Sequence, residues 1–260
     1  MSSLIDDKGN NHKLEKLLVI ENREVAPGHF RLTLEGPYLA REAKPGQFVM
    51  IYMPMEYGYM LPRPFSIFRV DCQREELAIF FQIKGYGTEL LARIAPGAAL
   101  KVIGPLGRGF PSLPPKSLLV AGGMGIAPLV FLASSAAVPR TLIYGAPSVE
   151  LLACPPSDLD LPGLTLITAT EDGSRGEKGT VAEVLAGMAA DFEAIFACGP
   201  RPMLDAVNKL FLGTGISIWF SVEERMACGI GACLGCVVKT GSGYKRVCRD
   251  GPVFPAAEVF

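Results

Sequence analysis

Residues Ser117-Leu-Leu-Val-Ala-Gly-Gly-Met-Gly-Ile-Ala-Pro-Leu-Val-Phe-Leu-Ala-Ser-Ser-Ala-Ala-Val-Pro139 carry no charge between Lys116 and Arg140. A run of this length and character could cross a bilayer as one helix. Gly122, Gly123, Gly125 and Pro128 interrupt it, and such residues punctuate structure. The expectation is therefore a short buried strand over 118–121, a glycine turn, and a helix over 126–136. Strands of a parallel sheet covered on both faces read as continuous apolar runs of this kind. On that reading the chain is a soluble α/β protein rather than a membrane one.

Downstream the same pattern recurs. Residues 140–144, 164–169 and 194–198 read as buried strands, and 181–190 and 202–212 as helices. Strand alternating with helix predicts a parallel, doubly wound sheet over 114–213. Upstream the pattern changes to short strands over 17–21, 29–34, 47–53, 77–83 and 99–103, separated by turns such as Ala26-Pro-Gly28 and Lys44-Pro-Gly46. Regular short strands with that punctuation predict a small antiparallel β-barrel over 13–113. Residues 1–12 lack a signal peptide's apolar centre and read as a loose tail. The stretch 214–260 begins with a strand over 216–222 and continues into a cysteine-rich loop. No internal repeat or low-complexity tract is present.

Net charge is −1 over 260 residues, so the chain lacks the electrostatic footprint of a nucleic-acid or anionic-membrane binder. Cys228, Cys233, Cys236 and Cys248 are spaced C-x4-C-x2-C-x11-C, with Gly229, Gly231 and Gly235 between the first sulfurs. A plant-type [2Fe–2S] cluster draws three thiolates from one tight loop and a fourth from further on. Glycines there permit positive φ and close approach of N–H groups to sulfur. A structural zinc site usually shows two short knuckles, and here only Cys233 and Cys236 form one. A disulfide framework fits poorly, because the cysteine count is odd and nothing suggests secretion. Reduced thiols and an oxygen-sensitive cluster point to the cytoplasm.

Three further motifs carry chemistry. In Arg63-Pro-Phe-Ser66 an arginine beside a rigid proline can fork onto phosphate, and the serine offers a hydroxyl to a flavin edge. An edge-strand proline with a surface arginine is the plainer reading. Gly85, Gly87 and Thr88 open a short helix and could face a pyrophosphate, or form a simple capped turn. Gly122, Gly123 and Gly125 follow a strand and open a helix, as a dinucleotide turn does, with Pro128 in place of the third glycine. His12 and His29 are the only histidines, and no nucleophile–base pair stands out. That suits chemistry supplied by cofactors, which asks the protein mainly for positioning.

An R-P-x-S string, then G-x-G-T, then G-G-x-G-x-A-P resembles the ferredoxin–NADP reductase superfamily, with its flavin barrel followed by a pyridine-nucleotide domain. With Arg225-Met-Ala-Cys-Gly-Ile-Gly-Ala-Cys-Leu-Gly-Cys236 and Val247-Cys-Arg-Asp-Gly-Pro-Val-Phe254 added, the chain is similar to a narrower family. These are the electron-transfer subunits of NAD-dependent, type B dihydroorotate dehydrogenases, which serve de novo pyrimidine (UMP) synthesis. The resemblance implies FAD, a [2Fe–2S] cluster and NAD as cofactors. Arg63, Pro64, Phe65 and Ser66 would hold FAD at the isoalloxazine and phosphates. Phe80, Phe81 and Gln82 would line its ribityl and adenosine side, and Gly87 and Thr88 its pyrophosphate. Gly104-Pro-Leu-Gly-Arg-Gly-Phe110 is either a turn near the flavin or a connection leaving the barrel.

Gly122, Gly123 and Gly125 would receive NAD. Cys198 would lie near the nicotinamide, or be an inert buried thiol. Glu171 or Asp172 would accept from the ribose 2′-hydroxyl and repel a 2′-phosphate, or form an Asp-Gly turn, with Arg175 nearby as a counterweight. The implied partner is an FMN-containing catalytic subunit, in a heterotetramer of two of each chain. Rival readings are a reductase subunit of a hydrogenase or ferredoxin-linked transhydrogenase, and a non-catalytic metal-bound redox sensor.

Overall fold

The computed structural model describes residues 12–53, 61–188 and 192–260. The tail expected over 1–12 lies outside them apart from His12, as do positions 189 and 190 of the helix expected over 181–190.

The first half closes into a six-stranded antiparallel barrel of order β1-β2-β5-β4-β3-β6. Its elements are β1 (Lys13–Ala26), β2 (His29–Glu35), α1 (Pro37–Glu42), β3 (Phe48–Tyr52), β4 (Arg63–Asp71), β5 (Glu76–Gln82), α2 (Tyr86–Ala92) and β6 (Ala99–Leu106). Successive side chains of a strand point to opposite faces, so alternate residues fill the interior. Leu32 lies opposite Ile79 and Leu34 opposite Leu77, and all four are fully buried. Five barrel strands read as continuous runs in the sequence; β4 reads only as an edge strand at Arg63-Pro64, since a proline without an N–H is confined to such positions. Pro64 is nevertheless tolerated in register opposite Met50, near the start of the strand.

The second half is a seven-stranded sheet of order β10-β9-β8-β7-β11-β12-β15. It is built from β7 (Ser117–Gly122), α3 (Ile126–Ser134), β8 (Arg140–Ala146), α4 (Pro156–Leu159), β9 (Leu164–Thr170), β10 (Glu177–Lys178), α5 (Val181–Ala186), β11 (Ala194–Cys198), α6 (Arg201–Phe211) and β12 (Ser217–Ser221). The remaining elements are β13 (Val237–Thr240), β14 (Gly243–Arg246), α7 (Val247–Asp250), β15 (Val253–Pro255) and α8 (Ala256–Val259). All sheet pairings are parallel except that of β15 with β12. Helix α3 packs on one face, in a cluster with Leu119 and Leu142, while α5 and α6 pack on the other with Leu118 and Val120. The sheet is thus doubly wound. It takes in β12 and β15 from the 214–260 stretch, so a cluster module with those bounds, which we retain as a proposal about function, shares strands with its neighbour.

The uncharged run now has a physical cause. Residues Ile126 to Ala133 of α3 are all buried, because the sheet covers one side and barrel residues Phe68 and Phe80 cover another. A helix apolar all round is a helix buried all round. Among the described residues no helix is long and apolar enough to cross a membrane.

Strand order reverses between β7 and β11, and the turns at their carboxyl ends lie side by side. A Cβ on Gly125 would come 2.1 Å from the Cys198 carbonyl oxygen. That clash is with backbone, which cannot rotate away, so only glycine fits. Gly125→Ala is expected to destabilise the protein by about 1–3 kcal/mol, the usual cost of overpacking, read as a lowered urea midpoint. A midpoint equal to that of the parent protein would show that the two turns are not in contact.

Candidate functional site

A cleft of about 240 Å³ opens between the barrel and the sheet. Pro64, Phe65 and Ser66 from β4, Phe80, Phe81 and Gln82 from β5, and Thr88 from α2 line it. The barrel register explains the grouping, since β4 and β5 are adjacent antiparallel strands. Phe65 and Phe81 meet edge-to-face with centroids 5.7 Å apart. Arg63 is brought to α2: a Cβ on Gly87 would lie 3.1 Å from the Arg63 Nε, so the glycine lets the guanidinium rest on the helix's first turn.

The Thr88 hydroxyl is committed to that turn. It accepts from the N–H groups of Lys84 and Gly85, at 2.9 and 3.2 Å, and donates to the Gly85 carbonyl at 2.9 Å. The far end of α2 is fixed by Asn22 of β1, whose Nδ2 donates to the Leu91 and Ile94 carbonyls at 2.8 and 2.9 Å. Carbonyls at a helix end lack intrahelical partners, so this one side chain holds the helix in place.

The opposite wall was not legible in the sequence. Met124 and Ala127 come from the glycine turn and α3, while Ser221, Val222, Glu223, Glu224, Met226 and Pro252 come from the stretch around the cysteines. Glu223 is open to solvent along much of its length. Protein nonetheless crowds its carboxyl at the cleft mouth, and that burial raises it above the ordinary carboxylate range, against the pull of the Lys84 ammonium. Only the folded chain brings Lys84 and Glu223 to one rim.

Cys198 is buried behind the cleft, 1% exposed. Burial pushes its thiol up, the Glu223 charge adds to this, and the Ser221 hydroxyl opposes it. Gly122 and Gly123 sit with Gly125 at the carboxyl edge of the sheet, next to Cys198-Gly-Pro200. Glu171 and Asp172 follow β9 on the same edge, and both are exposed. They differ in commitment. Asp172 Oδ1 accepts from the Ser174 N–H at 2.9 Å and its hydroxyl at 2.6 Å, which holds its carboxyl below the usual range. It serves the turn, while Glu171 is tied there through its backbone N–H to Ala146.

The cysteines fall into two pairs. The Cys233 N–H points to the Cys228 sulfur and the Cys248 N–H to the Cys236 sulfur, each at 3.4 Å. Gly235 N–H meets the Cys233 sulfur at 3.4 Å. Gly229 and Gly231 hold φ of 73° and 83°; the third left-handed residue is Leu234 at 58° rather than Gly235. Burial raises the Cys228 thiol, but the N–H groups of Cys233, Ile230 and Ala232 and the Cys233 thiol outweigh it and lower it to about 7. Cys248 is pushed up by burial and by the Cys236 and Cys228 sulfurs. Sulfurs that disfavour one another's ionisation are what a positive metal centre relieves.

Among the described residues no three His, Cys, Asp or Glu converge to hold a single ion. Four thiols in two N–H-linked pairs, with the Cys228 sulfur near enough to disfavour ionisation of Cys248, are the donor set a [2Fe–2S] cluster takes, so the residues fit that group. Cys236 and Cys248 are 1% exposed and packed against Phe48, Met50 and Leu106 of the barrel, whereas Cys233 is exposed.

Comparison with known proteins agrees with this geometry. The family described as "Iron-sulfur cluster binding domain of dihydroorotate dehydrogenase B" matches residues 223–260. A "Dihydroorotate dehydrogenase B (NAD(+)), electron transfer subunit" from Caldanaerobacter subterraneus subsp. tengcongensis is 39% identical, over 94% of this chain and 97% of that protein. One of the same name from Geobacillus sp. (strain WCH70) is 38% identical, over 95% and 98%. Among solved structures, that of an NADH-dependent reduced ferredoxin-NADP oxidoreductase, described for flavin-based electron bifurcation, superposes with a TM-score of 0.84. It is 26% identical and covers 94% of this chain and 89% of its own. The ferredoxin reductase of carbazole 1,9a-dioxygenase shares the fold at a TM-score of 0.67, covering 80% and 69% of the two chains. With near-complete coverage at that identity, a flavin-reductase fold and paired cluster thiols, this chain belongs to the family of electron transfer subunits of NAD(+)-dependent dihydroorotate dehydrogenase B.

Proposed function

We propose that this chain relays electrons between NAD(H) and a dihydroorotate-oxidising catalytic subunit that carries FMN, in pyrimidine synthesis. The observation that carries the proposal is the shared wall. One cleft is lined on one side by the flavin-edge strand β4 and on the other by Met226 and Pro252, which stand two and four residues from Cys228 and Cys248. When bound, FAD supplies hydride exchange with NAD(H) and a [2Fe–2S] cluster supplies one-electron transfer. The chain's own residues position and shield. Arg63 and α2 face the flavin phosphates, Ser66 the ring edge, and Phe80, Phe81 and Gln82 the remaining wall.

Gly122, Gly123 and Gly125 give NAD a backbone-lined approach at the switch point. Cys228, Cys233, Cys236 and Cys248 ligate the cluster, with N–H groups offsetting sulfur charge. The partner docks where Cys233 reaches the surface, and the assembly is a heterotetramer of two of each chain in the cytoplasm. A transhydrogenase or hydrogenase client is the second reading, kept alive by the bifurcating reductase among the similar structures. Purification from the native cell with bound partners decides: an FMN subunit that oxidises dihydroorotate supports the first, and a hydrogenase or second nucleotide-binding subunit the other.

Cys233→Ser is expected to remove the broad visible absorption and the two-iron content, while NADH still bleaches FAD; full iron content in that variant sinks the ligand assignment. Arg63→Ala is expected to lose a charge-assisted phosphate contact of about 1.5–3 kcal/mol, about tenfold to a hundredfold in FAD affinity. Titration of the apoprotein with FAD reads this directly, and unchanged affinity would move the phosphates elsewhere. NADH is expected to exceed NADPH in kcat/KM, with Glu171→Ala eroding the ratio about tenfold and Asp172→Ala leaving it, since Asp172 is turned onto Ser174. A preference for NADPH overturns the choice of nucleotide, and an unmoved ratio in Glu171→Ala overturns the residue.

A further inference from the structure

FAD and NAD(H) are held by different halves of the chain on the reading above, so the reacting atoms meet only if the halves keep one relative placement. A misplacement of about 1 Å can cost about a hundredfold in rate. The apolar part of the join is α3 against the barrel, with Phe68 and Phe80 in one cluster with Ile126 and Val130. Such burial is non-directional and sets no register by itself. The directional part is a backbone bridge from Arg108 to Gly251 and Pro252 at the cluster side, and an ionic group at the other. Asp158, in α4 of the nucleotide half, has a side chain only 5% exposed and sits between two barrel arginines.

Arg31 of β2 reaches both carboxylate oxygens from Nη1 at 3.3 Å. Arg69 of β4 approaches Oδ1 at 3.4 Å from Nη1 and donates from Nη2 to the Asp158 backbone carbonyl at 3.0 Å. Glu21 of β1 steadies Arg31 from behind at 3.3 Å. Both Arg69 contacts to Asp158 run through its Nη atoms, while its buried Nε has no hydrogen-bond partner. This cluster lies outside the cleft and none of its members lines it.

We propose that Asp158 is a positioning residue for hydride transfer. Through Arg69 it grips the strand that carries Arg63 to Ser66, and so sets the alignment of nicotinamide with flavin rather than the binding of either. The step concerned moves a hydride from NADH, which becomes NAD+, to FAD, which with one solvent proton ends as FADH2. The two arginines are not equivalent in this role. Arg69 stands three residues beyond Ser66 on the same strand and alone also holds the Asp158 backbone carbonyl, whereas Arg31 reaches the flavin wall only across the β2–β5 pairing, opposite Phe80. Losing Arg69 therefore disturbs alignment more than losing Arg31, although each removes one guanidinium from the same carboxylate.

The test uses the FAD-loaded protein and its Asp158→Asn, Arg69→Gln and Arg31→Gln variants, mixed rapidly with NADH without oxygen. Four quantities are read: FAD occupancy, NADH Kd, the limiting rate of flavin bleaching, and the long-wavelength charge-transfer absorbance of the stacked nicotinamide–flavin pair. Asp158→Asn and Arg69→Gln are expected to lower the limiting rate at least about tenfold and to weaken the charge-transfer band. Occupancy and Kd should stay within about threefold, and Arg31→Gln should lose less than about threefold in rate. If Asp158→Asn does not fold with FAD, the contrast between the arginine variants decides alone. Parent-like rate and band in Arg69→Gln, an equal loss in Arg31→Gln, or a loss explained by weaker FAD or NADH binding overturns the positioning role. A parent protein that NADH fails to reduce overturns instead the flavin–NAD reading beneath it.

Discussion

Helix α3 is buried on every side, and the working geometry depends on that. Its residues from Ile126 to Ala133 contact the sheet on one face and the barrel residues Phe68 and Phe80 on another. A single charge in this run would be taken out of water with no partner on either side, at a cost of several kcal/mol. The absence of charge from Ile126 to Ala133 is thus a consequence of where the helix must sit. Because the same helix begins at the glycine turn, packing it against β4 places that turn beside the strand that carries Arg63 to Ser66. The cleft is the space left between them.

The cysteine stretch adds a third party to the same cleft. Gly229 lies against Met50 and Leu106, Cys236 and Cys248 join the core cluster that contains those residues, and Met226 and Pro252 reach the cleft wall. The buried thiol pair is inside the protein, and the pair containing Cys233 reaches the surface. Met226 and Pro252 stand beside one thiol of each pair, so both pairs adjoin the cleft wall, while Cys233 alone of the four is exposed. That placement follows from how the loop docks on β3 and β6 rather than from the cysteine spacing.

What the sequence disclosed follows from locality. The thiol spacing, the strand–glycine–helix run and the Pro-Gly turns are each legible within a dozen residues, and they were enough for the barrel, the doubly wound sheet and the cluster. Strand β4 was legible only as an edge strand at Pro64, because its extent depends on pairing with β3 and β5. Lys84, Glu223 and Met226 escaped because each is an ordinary residue locally and reaches the cleft only through the fold. Thr88 reads as a pyrophosphate contact or a turn cap, and Glu171 or Asp172 as a ribose contact or a turn; the Thr88 hydroxyl caps its turn and Asp172 bonds Ser174. A Ser or Gly nearby in sequence was the signal in both cases, since short polar side chains bond their own backbone neighbourhood first. Asp158 gave no sign at all, because its two arginines lie 127 and 89 residues away.

Conduction from nicotinamide to surface thiols within one chain is open to an anaerobic titration of the isolated FAD- and cluster-loaded protein with NADH, followed together by visible absorption and electron paramagnetic resonance. Flavin bleaching is expected to come with the signal of a reduced [2Fe–2S] cluster, with no partner subunit present. Bleaching with an intact but unreduced cluster, at a potential where dithionite does reduce it, would contradict the shared-cleft geometry as a conducting path.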